Sequence, residues 1–157
     1  SVIPFFLKKK STGVLPITDK RMTRFNITLE KGVLFVLECL DKMWGGELFV
    51  PKIKSYRILD VAKAIAPECK LNFVGIRPGE KLHEEMITKT DALSSIEFEK
   101  YFVILPSTKL WDIDKFRKES NASEGVMCNS DFSYSSETNT DFLSTKDLQE
   151  LIKRNIL

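Results

Sequence analysis

Two short strings carry groups suited to holding an anion: Arg24 within Met22-Thr23-Arg24-Phe25, and the run Arg77-Pro78-Gly79-Glu80. An arginine fork donates two parallel hydrogen bonds to phosphate oxygens, so two arginines from different parts of a chain can clamp a diphosphate from two sides. Glu80 can accept hydrogen bonds from vicinal ribose hydroxyls, and Gly79 permits close backbone approach. Together these groups describe a nucleotide-sugar clamp. Read from residue types alone, the same strings also fit a surface turn with an internal ion pair and a snorkelling arginine on a strand edge.

Other chemistries find less support. A dinucleotide cradle needs closely spaced glycines between a strand and a helix. The seven glycines, at 13, 32, 45, 46, 75, 79 and 125, contain no such cluster. A tyrosine acid/base with a lysine four residues on would have its phenol activated by the ammonium, but Tyr56, Tyr101 and Tyr134 are followed at that distance by Asp60, Leu105 and Thr138. His83 is the only histidine, which excludes a His-rich zinc site, and a serine nucleophile paired with it requires folding to bring the two together. Glu84 and Glu85 adjoin it on an expected helix, point to different faces and read as a solvated surface. No catalytic residue and no metal site are expected in this chain.

These residues sit in a chain of 157, with 24 Lys and Arg against 22 Asp and Glu, a net charge of +2 that offers no basic field for nucleic acid. The 43% hydrophobic and 29% charged residues suit a globular fold able to bury a core. No apolar run approaches the ~20 residues that span a bilayer, and no secretory signal is visible, so a soluble protein is expected. Cys39, Cys69 and Cys128 are odd in number and widely spaced, as reduced thiols filling apolar space in a cytosol would be. The chain opens with Ser rather than Met, and the expectation is a truncated or incomplete piece of a longer protein.

The elements that must position the clamp are short. Ser1 is placed to cap an amphipathic helix that stops by Gly13, and Val14–Thr18 and Thr23–Ile27 read as strands around the turn Asp19-Lys20-Arg21. Thr28 caps a helix carrying Val33, Val36, Leu37, Leu40 and Met43 at helical spacing, ended by Gly45-Gly46. Strands are expected at Glu47–Val50, Tyr56–Ile58, Leu71–Ile76 and Tyr101–Leu105, and helices at Val61–Ala66 and Lys81–Ile87. From Ser107 to Thr140 the chain turns polar and reads as a long irregular segment before a last helix, which Ser144 and Asp147 open as a capping-box pair.

The strings SVIPFF (1–6), LPITDKRMTRFNITLEKGV (15–33), GGELFVPKI (45–53), GIRPGEKLHEEMI (75–87) and FSYSSETNTDFLSTKDLQELI (132–152) closely resemble the C-terminal part of bacterial inverting UDP-N-acetylglucosamine 4,6-dehydratases. These are extended short-chain dehydrogenases/reductases of the polysaccharide biosynthesis class. The resemblance implies an α/β fold, a mixed α+β substrate-binding lobe beside a Rossmann domain that would precede Ser1 and hold NADP with the catalytic Tyr and Lys. Residues 1–106 would form the UDP-sugar-binding lobe and 107–157 its polar irregular segment and terminal helix.

The reaction it implies moves a hydride from carbon 4 of the sugar to NADP, eliminates water across carbons 5 and 6, and returns the hydride to carbon 6 with inversion at carbon 5. The product, UDP-2-acetamido-2,6-dideoxy-L-arabino-hex-4-ulose, feeds pseudaminic acid and surface-glycan synthesis. On this resemblance Arg24 and Arg77 are the diphosphate ligands, Glu80 partners the uridine ribose, Pro16, Ile17 and Thr18 lie along the base, and residues 1–6 approach the ligand. The resemblance also implies a cytoplasmic protein, a homo-oligomer at full length, and no activity in this chain alone. Asn26 departs from the family pattern, which has an aromatic or aliphatic residue there. Retaining dehydratases, UDP-sugar epimerases and a non-catalytic UDP-sugar-binding module remain as alternatives, and apolar surface at Ile3, Phe5, Phe6, Val33, Val36 and Leu37 is expected to be partly exposed.

Overall fold

The computed structural model of the protein describes residues 2–119 and 124–155. The expected cap Ser1, with Asn121 and Ser123, lies outside them. Helix α1 (Val2–Lys9) runs into a 3-10 turn (Lys10–Thr12), followed by strands β1 (Val14–Ile17) and β2 (Thr23–Phe25), helix α2 (Leu29–Lys42), β3 (Leu48–Pro51), β4 (Ser55–Arg57), α3 (Ile58–Ile65) and β5 (Lys70–Phe73). Then come β6 (Glu85–Ile87), α4 (Lys89–Ala92), β7 (Ser95–Glu97), β8 (Tyr101–Ile104), α5 (Ile113–Glu119), β9 (Val126–Met127), β10 (Tyr134–Ser135) and α6 (Thr145–Asn155). They fold into two compact units, one taking the stretches up to Asn26, Lys54–Glu84 and from Ser136 onward, the other Ile27–Ile53 and Glu85–Ser135. The units therefore divide the chain differently from the segments 1–106 and 107–157.

In the first unit β1 pairs in parallel with β5, and β2 pairs antiparallel with β4 so that Arg24 lies opposite Tyr56. Side chains alternate across a strand, and β1 buries Leu15 and Ile17 completely. They pack with Phe6, with Val61, Ala62 and Ile65 of α3, and with Leu148 and Ile152 of α6. Gly13, in the left-handed region at φ 71°, ends the 3-10 turn and donates its N–H to the Lys10 carbonyl. The turn leading to β2 is fixed by Asp19, whose carboxylate accepts from the Arg21 backbone N–H and from its Nε and Nη2. The hydrogen-bonded Arg21 side chain is the main reason the Asp19 carboxyl is held down at about 2.

The second unit is built on an antiparallel sheet in the order β3-β8-β7-β9. Its core is largely aromatic: Phe98, Tyr101 and Phe116 gather Phe35, Phe49 and Trp111, with Trp111 stacked on Phe116 at 4.4 Å between ring centroids. Trp111 Nε1 donates to the Gly45 carbonyl. Thr28 caps α2 by accepting from the Lys31 N–H, as the sequence predicts. The expected exposed stripe is present, with Val33, Val36 and Leu37 exposed by 50%, 58% and 55%. Phe5 is also exposed and Ile3 half-buried, whereas Phe6 belongs to the core.

Three stretches differ from the sequence-based expectation. Lys81–Ile87 is not helical, bending at Leu82 and His83 before β6: the carbonyls of Lys81 and Leu82 accept from Arg24, the Leu82 carbonyl also from the Thr23 N–H, and the Glu84 backbone bonds to Ser136. Backbone groups engaged in this way cannot close helical turns. The segment 107–140 contains α5, β9 and β10, because Asp112 caps α5 through the Lys115 N–H and Phe116 anchors it in the aromatic core. Between 88 and 100, where the sequence reading assigns nothing, Thr88 and Asp91 form a capping box that starts α4, and β7 follows.

The last helix opens as expected, with the Ser144 Oγ and N–H both donating to Asp147 and the Asp147 N–H returning to Ser144 Oγ. Hydrogen bonding by Ser144 holds the Asp147 carboxyl below its ordinary range. A carboxylate with a depressed folded pKa contributes stability above its unfolded pKa and loses it as pH falls through the folded one. Ser144→Ala is therefore expected to cost about 1 kcal/mol in urea unfolding at pH 7, with the gap to the parent narrowing as acid protonates Asp147. In the second unit a Cβ at Gly125 would stand 2.5 Å from Ile96 Cγ2 and 2.6 Å from Phe98 Cε1. Gly125→Ala is expected to cost about 1–3 kcal/mol by overpacking, read as a lower thermal midpoint.

Candidate functional site

A cleft of about 500 Å³ opens in the first unit, and Pro16, Thr18, Arg24, Arg77 and Glu80 all line it. Strand alternation explains the one expected residue that does not. Pro16 and Thr18 lie two apart and share a side of the chain, whereas Ile17 points the other way into the core and its carbonyl is taken by the Val74 N–H. Val2, Phe5, Phe6, Met22 and Ile58 add an apolar wall.

Arg77-Pro78-Gly79-Glu80 is a type II turn. Proline occupies its second position, Gly79 takes φ 80° at the third, and the Glu80 N–H donates to the Arg77 carbonyl at 3.0 Å. Glu80 Oε2 also accepts from the Arg77 N–H at 3.3 Å, which holds the carboxylate against its own turn. The Arg77 side chain is exposed and makes no hydrogen bond or ion pair among the described residues, so its fork is available.

Arg24 is placed differently. Its Nη1 donates to the Thr23 and Leu82 carbonyls at 2.7 and 3.0 Å, its Nη2 to the Lys81 carbonyl at 2.9 Å and to Met22 Sδ, and its Nε lies 3.6 Å from Glu84 Oε1. The guanidinium brings positive charge to the cleft while its donors shape the segment that follows the Arg77–Glu80 turn. Glu84 completes this arrangement by accepting the Phe25 N–H at 2.7 Å.

Tyr56, across the strand pair from Arg24, also lines the cleft. Burial first, and then the Glu84 charge, push its hydroxyl above the ordinary range, with Arg24 opposing them. Neither Tyr56 nor Glu84 was among the expected site residues. Glu84 was hidden by the expected helix, and Tyr56 becomes visible only once the β2/β4 register sets it beside Arg24.

His83 is linked to a serine only through Thr23, and not as a nucleophile's partner. Its Nδ1 lies 2.7 Å from Thr23 Oγ1, which lies 2.7 Å from Ser136 Oγ, and Ser136 is completely buried. No substrate can reach that hydroxyl. The cysteines are free, Cys69 buried and the other two half-buried, and burial pushes Cys39 and Cys128 up to about 11. Among the described residues no cluster of His, Cys, Asp and Glu could hold a metal, and no helix is long and apolar enough to cross a membrane.

Comparison with known proteins covers the same residues. The profile of the polysaccharide biosynthesis protein family matches residues 1–106, a span that contains every residue lining the cleft. The chain is 49% identical to the UDP-N-acetylglucosamine 4,6-dehydratase (inverting) of Campylobacter jejuni over 97% of its own length and 46% of the relative's. It is 29% identical to the UDP-glucose 4-epimerase of Rickettsia canadensis over 97% of this chain and 45% of that one. The X-ray structure of Pen from Bacillus thuringiensis superposes with a TM-score of 0.77 at 26% identity, covering 98% of this chain and 45% of the other. The chain thus spans about half the length of the curated relatives it matches. With its mixed α/β fold, its cleft and the match over residues 1–106, the chain belongs to the polysaccharide biosynthesis protein family.

Proposed function

We propose that this chain holds the UDP-sugar in an inverting UDP-N-acetylglucosamine 4,6-dehydratase. The observation that carries the reading is the type II turn that presents Arg77 and Glu80 to the cleft where Arg24 concentrates positive charge. In this reading Arg77 supplies the bidentate contact to the diphosphate, for which its free fork is suited. Arg24 adds its field from behind the turn, and Glu80 accepts from the ribose hydroxyls. Pro16 and Thr18 lie along the base, while the apolar wall of Phe5, Met22 and Ile58 excludes water from the diphosphate. Dehydratase and epimerase relatives share a UDP-hexose by name, and the higher identity to the dehydratase favours that reaction.

NADP supplies the hydride chemistry of such a dehydratase. The residues present do not fit it: the positive-φ glycines, Gly13, Gly45, Gly46, Gly75 and Gly79, stand at separate turns and form no pyrophosphate cradle. In this reading the cofactor and the acid/base residues are held elsewhere in the longer enzyme, and this chain's part is to bind and orient the sugar nucleotide. The product is the UDP-4-keto-6-deoxy-L-sugar destined for pseudaminic acid. Cytoplasmic location and a homo-oligomeric full-length enzyme follow from the same resemblance.

Calorimetry of the chain with UDP tests the binding role. Arg77→Ala is expected to weaken affinity at least about tenfold, the worth of a lost charge-assisted contact, without moving the thermal midpoint. Arg77→Lys is expected not to restore it, because an ammonium lacks the fork. Arg24→Ala is expected to lower affinity and thermal midpoint together. Unchanged affinity in Arg77→Ala would remove that residue from the site. The reaction itself is tested on the longer protein containing this chain, incubated with UDP-N-acetylglucosamine and NADP; absence of a 4-keto-6-deoxy product would overturn the dehydratase assignment.

A further inference from the structure

The polar motif at 133–139 has no part in the proposed contacts, yet its segment from Ser136 bonds to Glu84, which lines the cleft, and to Ser55, the neighbour of the cleft residue Tyr56. On one side Ser136 exchanges two hydrogen bonds with Glu84, its Oγ accepting the Glu84 N–H at 2.9 Å and its N–H donating to the Glu84 carbonyl at 2.7 Å. On the other, Asn139 Nδ2 donates to Ser55 Oγ at 2.9 Å, the Ser55 N–H donates to the Asp141 carbonyl, and the Leu143 N–H donates to the Ser55 carbonyl. Ser55 adjoins Tyr56, and Glu84 closes the segment that begins with the Arg77–Glu80 turn. The hydroxyls of Ser136 and Thr23 and the ring of His83 form a hydrogen-bonded row, and His83 Nε2 faces Glu137 Oε1 at 3.4 Å.

The row can be satisfied in one direction throughout. With the neutral imidazole protonated on Nε2, Glu84 N–H donates to Ser136, Ser136 O–H to Thr23, Thr23 O–H to His83 Nδ1, and Nε2–H points at Glu137. A chain of hydrogen bonds aligned in this way polarises each link, and breaking one leaves a buried group without its partner. Thr23 is 5% exposed and Ser136 not at all, so water cannot readily replace either.

We infer that Thr23 and Ser136 are positioning residues for the nucleotide-sugar cleft, with the segment 136–143 acting as a brace that fixes the Arg77–Glu84 loop against strands β2 and β4. The inference rests on the proposed UDP-binding role for its consequence and on the hydrogen-bonded row for its geometry. Neither hydroxyl touches the ligand; both set where Arg77 and Glu80 stand.

The experiment uses the full chain and two substitutions at one site. Thr23→Val keeps the shape and removes the hydroxyl, whereas Thr23→Ser keeps the hydroxyl. Thr23→Val is expected to weaken UDP binding about tenfold and to speed hydrogen exchange at the Glu80 and Glu84 amides, with exchange in α3 and α6 unchanged. Thr23→Ser is expected to stay within about twofold of the parent by both readouts. Ser136→Ala, if it folds, is expected to follow Thr23→Val. Equal affinities and equal exchange in the two Thr23 variants would overturn the inference, as would a loss in Thr23→Val spread evenly over the unit. If the parent chain binds no UDP, the binding role fails, while the exchange at Glu80 and Glu84 still decides whether the brace exists.

Discussion

The guanidinium of Arg24 is the interaction on which the cleft depends. A largely buried charge is tolerated only where its donors are met, and those of Arg24 are met by carbonyls on both sides of the gap between β2 and the segment 81–82. This requirement selects a bent, non-helical path for 81–84, since a helix would direct the same carbonyls along its own axis. The Arg77–Glu80 turn, which hands the chain into that path, is oriented as a result. One residue thus links strand pairing, loop conformation and the field inside the cleft.

Much of this was legible in the sequence. The caps at Thr28 and Ser144, the stop at Gly13 and the tight Pro-Gly turn were visible because their chemistry is local: a hydroxyl three residues from an amide, or a glycine where φ turns positive. Arg24, Arg77 and Glu80 could be singled out by residue type, and the motif resemblance bound them together. The role of Arg24 as the shaper of a loop was not legible, because its acceptors in that loop lie 57 and 58 residues away. The family resemblance groups Ile17 with Pro16 and Thr18 along the base, although the two-residue period of a strand separates it from both.

The misread stretches share a cause. Lys81–Ile87 has residues at home in a helix, but partners from β2 and Ser136 occupy its backbone groups. The polar run after Ser107 conceals Phe116, and one buried ring with an Asp112 cap suffices to hold a short helix. In both places a few long-range contacts outweigh many weak local preferences.

The separation in sequence of the brace from the strand it meets has a consequence for synthesis. Thr23 and Ser136 are 113 residues apart, and at about 5–20 residues per second a ribosome delivers the second many seconds after the first. Until then β2 can pair with β4 and α3 can cover β1, but the segment 77–84 lacks its hydrogen bonds to Ser136. The hydrogen-bonded frame of the cleft is therefore finished late, and a nascent chain halted before Ser136 would carry Arg24, Arg77 and Glu80 without the row that ties Thr23 to Ser136.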